Sequence, residues 1–190
     1  MSEPMLSVTA NGAKLDHPLL QRLHDLDSHI RARLNPQGIG SVGLILYSTL
    51  ERGAYSCSPR NALTFAHTGG DGDHYSLLIK DGIIDESSPV ILTWTSEGTQ
   101  TIVGESLRDF LCFGLHGGYF QILSDIGTTP TVDANGLSFH PHVEDDEQQV
   151  ISLLATELQL QPWPMGERVS KYKSLQERFG PLVDASDEWE

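Results

Sequence analysis

The chain has 190 residues, with 12 basic side chains against 26 acidic ones and a formal net charge of −14. That length suits one domain with room for a C-terminal lobe. The charge argues against binding a nucleic-acid backbone or an anionic membrane surface, since both call for clustered Lys and Arg.

A first helix is predicted over residues 17–34, where Leu19, Leu20, Leu23, Leu26, Ile30 and Leu34 recur at spacings of three and four. Asp16 offers an N-cap, Pro18 suits the first turn, and Asn35-Pro36 stops the helix. Arg22, Arg31 and Arg33 fall mostly off the apolar stripe and read as solvated. A strand is predicted over residues 42–47, then a polar loop carrying Gly53, Ser56 and Ser58. Residues 63–66 lead into Thr68-Gly69-Gly70-Asp71-Gly72-Asp73, where three glycines in four positions allow backbone that other residues enter only at a cost. Beyond it, Tyr75, Leu77 and Ile79 alternate with Ser76, Leu78 and Lys80, a half-buried strand pattern, and residues 90–95 repeat it. A short strand over 100–103 completes an antiparallel meander with turns at Asp81-Gly82 and Glu97-Gly98.

Ser106 opens a second helix, with Asp109 at capping-box spacing and Leu107, Phe110, Leu111 and Leu115 facing inward. Gly117-Gly118 ends it. Residues 119–123 fit helix or strand equally. The stretches 128–130 and 133–136 read as loop, 145–160 as a helix, Pro162-Trp163-Pro164 as a break, and 170–179 as a last helix. Half of the net charge falls in residues 140–190, which hold eleven acids and four bases. Trp94 and Cys112 read as core, Cys57 as a loop residue open to solvent, and Trp163 as an anchor for the C-terminal segment. Trp189 in the acidic tail reads as disordered or as a contact for another subunit.

The span from residue 63 to residue 111 resembles the second half of a SUKH domain, the superfamily that includes a fungal cell-wall-synthesis regulator and many bacterial toxin-immunity proteins. An apolar segment, a Gly/Asp turn and a strand run from Phe65 to Leu77. A Pro-Val strand follows at Pro89-Val90-Ile91-Leu92-Thr93-Trp94, and a short strand enters a serine-started helix at Val103-Gly104-Glu105-Ser106-Leu107-Arg108-Asp109-Phe110-Leu111. The resemblance implies an α+β domain, placed over residues 1–124, with helices beside a twisted, mainly antiparallel sheet; residues 125–190 lie outside it and read as a C-terminal helical extension with an acidic tail. It also implies a non-catalytic protein-binding role, for many members toward a toxin domain. An acidic surface suits a basic toxin or enzyme partner. The expected partner contacts are Asp71, Asp73, His74 and Tyr75, together with acids near the C-terminal helix.

The alternative is a metal-assisted hydrolase in which His67 and His74 converge with Asp71 and Asp73. Its nucleophile would come from Ser56, Ser76 or Cys57, none of which sits in a recognised nucleophile motif. The turn does not complete an EF-hand, because Gly82 stands where the twelfth-position Glu belongs. It also lacks the Lys and following helix of a phosphate loop. His140-Pro141-His142 before Glu144-Asp145-Asp146-Glu147 has the composition of a metal cluster, but acids at a helix N-terminus explain it better. No cofactor or metal is expected. Two distant cysteines, the lack of a basic N-terminal leader and the shortness of every apolar run point to a cytoplasmic protein.

Overall fold

A single antiparallel sheet of five strands organises the protein, which the computed structural model describes over residues 14–184. Its strands are β2 (Ile45–Glu51), β3 (Ala62–His67), β4 (His74–Leu78), β6 (Val90–Trp94) and β7 (Thr99–Gly104), in the spatial order β2-β3-β4-β6-β7. Two short strands, β1 (Lys14–Asp16) and β5 (Ile83–Asp85), pair in parallel outside this sheet. A hairpin of β8 (Thr131–Val132) and β9 (Ser138–Phe139) stands apart. Four helices, α1 (Pro18–Arg33), α2 (Leu107–Gly114), α3 (Asp145–Leu158) and α4 (Arg168–Phe179), pack beside the sheet. The fold is α+β.

The first helix begins one residue later than expected. His17 is its N-cap, with Nδ1 accepting from the Leu20 N–H at 3.3 Å, and Asp16 lies instead in β1. Leu19, Leu20, Leu23, Leu26 and Ile30 are buried, whereas Leu34, past the helix end, is 40% exposed. The strand expected over 42–47 starts at Ile45, because residues Gly38–Val42 coil into a 3-10 turn that Gly43 ends at φ 83°. Only glycine enters that left-handed conformation without strain.

Strands β4 and β6 are not half-buried. All five residues of β4 and four of the five in β6 are buried, because both are interior strands with both faces covered. Alternation with serine and threonine hid this, but Ser76 satisfies its hydroxyl against Thr64 at 3.0 Å. The Asp81-Gly82 turn leads out of the sheet into β5 instead of into the next strand. Helix α2 opens as expected, with Ser106 Oγ accepting from the Asp109 N–H. It ends at Gly114, and residues 119–123 form turns, neither helix nor strand.

The two sheet edges differ. On β7 the Gln176 side chain from α4 acts as a strand substitute: Oε1 accepts from the Ile102 N–H at 3.0 Å and Nε2 donates to the Ile102 carbonyl. On β2 residues 47–49 are exposed, and the pairing with β3 slips between Leu46 and Glu51. Such a bulge discourages an open edge from pairing with another chain.

The segment from residue 125 contributes Phe139, Val150, Ile151, Leu154, Leu158, Trp163 and Leu175 to the same continuous core as the sheet. Trp163 stacks on Phe113 with centroids 4.6 Å apart, and its indole donates to Asp109. Cys57 is buried in its loop, the reverse of its sequence reading, and Cys112 and Trp94 pack against the core while staying partly exposed. Trp189 and the residues after Asp184 lie outside the described residues. Among the described residues, no helix is long and apolar enough to cross a membrane.

Candidate functional site

The Gly/Asp turn between β3 and β4 closes a two-strand corner in which His67 and His74 are directly paired. Gly69 and Gly72 have φ of 92° and 82°, and Asp71 itself sits at φ 49°. At Gly72 the requirement is also steric: a Cβ there would lie 2.4 Å from the Tyr55 hydroxyl oxygen. The turn therefore packs under Tyr55, and glycine is what permits it.

The polar residues of the turn are held by different partners. Asp73 Oδ1 accepts from the Thr95 N–H at 2.9 Å, tying the turn to the β6–β7 hairpin. Asp71 is exposed and makes no side-chain hydrogen bond or ion pair with any described residue. His74 is 2% exposed. Its Nδ1 lies 2.9 Å from the Gly72 carbonyl and its Nε2 3.1 Å from Ser58 Oγ. A carbonyl only accepts, so Nδ1 carries the proton, and Nε2 accepts from the Ser58 hydroxyl. Burial depresses the His74 pKa, with the Gly72 carbonyl opposing the shift, so the ring is neutral at pH 7.

Tyr75 is fully buried, and its hydroxyl donates to the Tyr119 carbonyl. Its ring packs on Phe110 at 4.7 Å and faces Phe65 at 6.5 Å. His74 and Tyr75 are thus corrected from partner contacts to core residues. At 2% and 0% exposure, their side chains offer a partner no surface. Asp71 and Asp73 keep a place at the surface, Asp73 only in part.

Sequence reasoning missed the side chains that do face solvent here. Tyr47 on β2 is 42% exposed and stacks on His67 at 5.0 Å. Tyr55, 46% exposed, stacks on His74 at 5.8 Å. An aromatic in a loop of Gly and Ser was the available signal for Tyr55, and nothing local marked Tyr47. The face so formed carries two tyrosine rings beside Asp71, with Glu51 exposed at the end of β2.

Two of the expected nucleophiles are taken up by the fold. Ser76 is bonded to Thr64, and Cys57 is buried away from solvent. Ser58, not singled out from sequence, does meet His74, but it is 7% exposed. Gly53 covers it so closely that a Cβ there would lie 2.2 Å from Ser58 Oγ. The pair ties the 53–58 loop to β4. Among the described residues, no group of three or more His, Cys, Asp or Glu is placed to hold a metal ion. His140 instead faces Asp125 at 3.6 Å, and Glu144 with Glu147 forms a capping box at the start of α3.

The chain matches no family model, no curated protein and no solved structure.

Proposed function

We propose that this protein is a non-catalytic binding module that engages a basic protein partner, such as a toxin domain, through the face formed by Tyr47, Tyr55 and Asp71. One observation carries the reading. The face beside the turn exposes Tyr47, Tyr55 and the Asp71 carboxylate, while His74, one of the two candidate acid–base histidines, is buried with both ring nitrogens occupied. Exposed tyrosine supplies large contact area at low entropic cost and is enriched at binding hot spots. The carboxylates and the net charge of −14 add long-range attraction for a cationic surface. The hydrolase alternative has less support, because Asp73 Oδ1 already accepts from the Thr95 N–H and both His74 ring nitrogens are engaged.

Stopped-flow association with purified basic nuclease toxin domains tests the reading. We expect a one-to-one complex whose on-rate falls with salt. Asp71→Asn, which keeps a residue tolerant of positive φ, should slow association severalfold at low ionic strength. Tyr55→Ala should raise the off-rate by about tenfold or more, the hot-spot scale. On- and off-rates unchanged in both variants would sink this face as the contact.

A further inference from the structure

On another part of the surface, the β6–β7 hairpin, α4 and the turn at 119–123 enclose a cavity of about 340 Å³. Its apolar lining comes from Leu92 and Leu123, and its aromatic lining from Trp94 and Tyr172. Glu97, in the hairpin turn, supplies a carboxylate.

The hydrogen bonds already made in the lining decide what ligand it can take. Gln176 is oriented by both backbone groups of Ile102, so its Oε1 is an acceptor, and its Nε2 donates to the Ile102 and Tyr172 carbonyls. Thr101 Oγ1 lies 2.9 Å from that Oε1 and must donate its one proton there. Tyr172, 2.7 Å from Thr101 Oγ1, must then be the donor of that bond. Gln100 Nε2 donates to the Cys57 carbonyl, which leaves its Oε1 as the free end of the amide. The wall is left rich in acceptors: the Glu97 carboxylate, Gln100 Oε1 and the lone pairs of the Tyr172 oxygen. The Trp94 indole N–H is the one donor-only group among these side chains, with the Thr99 hydroxyl able to act either way. An anion would meet acceptors and repulsion. A cationic donor meets a carboxylate, oxygen acceptors and two aromatic rings of the kind that attract ammonium groups.

We propose that this cavity binds an alkylammonium group, with the alkyl chain against Leu92 and Leu123 and the ammonium between Glu97 and the aromatic rings. The same chemistry is offered by a lysine side chain on another protein and by a free amine. The cavity shares no residue with the Tyr47–Tyr55 face, so each proposal stands or falls without the other.

The test follows the indole N–H resonance of Trp94, assigned by its loss in Trp94→Phe, during titration of the full-length protein at low salt. n-Butylammonium should shift it saturably, and 1-pentanol, of similar length but uncharged, should not. Glu97→Gln, at an exposed turn position, should weaken binding by about fivefold, the upper size for one exposed charge pair. An N-acetylated, C-amidated lysine that shifts the resonance equally identifies a side chain of a partner as a source. Exclusion of that blocked lysine while butylammonium binds identifies a free amine. An equal response to pentanol, no response to butylammonium, or unchanged affinity in Glu97→Gln would each overturn the proposal.

Discussion

At the scale of single residues, several ionisable groups serve the fold through their neutral forms. His116 is 2% exposed, its Nε2 is 2.8 Å from the Trp163 carbonyl, and the Arg168 guanidinium lies nearby. Burial foremost, then that positive charge, lowers its pKa from 6.5 to about 4. The folded value is below the unfolded one, so the unfolded chain binds the extra proton and stability falls as pH drops from 6.5 toward 4. The loss from this one group is roughly 3 kcal/mol. Asp125 acts with the opposite sign: burial raises its pKa, so it takes up a proton earlier in the folded state and offsets part of the loss. Urea midpoints measured across that range should decline in the wild type and decline less in His116→Gln. Parallel profiles would show that another group carries the dependence. Asp71 and Asp73 illustrate how alike two residues can look in sequence. One carboxylate is a structural acceptor and the other has no partner among the described residues, so Asp71 is the cleaner probe of binding.

At the scale of elements, the two edges of the sheet are managed by different means. Edge β7 is closed by an amide from a helix, and edge β2 is broken by a bulge. Gln176→Leu keeps the volume but removes the partner of the Ile102 N–H and C=O. It should cost about 2 kcal/mol, since each unsatisfied backbone group costs about 1–3 kcal/mol when buried, and water recovers some of that here. Chemical denaturation reads the change directly, and a midpoint identical to wild type would mean that water replaces the amide fully. The element pattern was legible wherever a periodicity stood alone. Helices α1, α3 and α4 lie within two residues of their expected bounds, and in α1 and α3 the apolar stripes follow a 3.6-residue period. The 3-10 turn before β2 was not legible, because Ile39, Val42 and Leu44 are buried as a strand's residues would be. Burial of both faces of β4 was equally hidden, since serine and threonine read as solvent-facing until their hydroxyls are seen paired.

At the scale of the molecule, the C-terminal segment is part of the main core. Trp163 joins the two halves: it stacks on Phe113, donates to Asp109, and lies 4.3 Å from the Lys171 ammonium. Asp109 also binds the Glu105 N–H and the Lys171 side chain, so one carboxylate links helix α2 to helix α4. Trp163→Ala should destabilise the protein by about 3–5 kcal/mol, the usual cost of removing a buried aromatic. Calorimetry should show one cooperative transition shifted down in temperature. Two separated transitions in the wild type would instead mean that residues from 125 onward unfold independently.

The amino-acid sequence by itself determined the class of this fold, the order of most of its elements and the acidity of its surface. Those properties follow from local periodicity, turn chemistry and composition, which need no knowledge of distant neighbours. The tertiary structure alone decided which polar residues are available. It took His74 and Tyr75 into the interior, committed Asp73 to a backbone amide and left Tyr47, Tyr55 and Asp71 facing solvent. It also brought Trp94, Glu97 and Tyr172 around one cavity. Availability depends on which strands are central and which contacts close over a loop, and these are set by pairings between residues far apart in the chain.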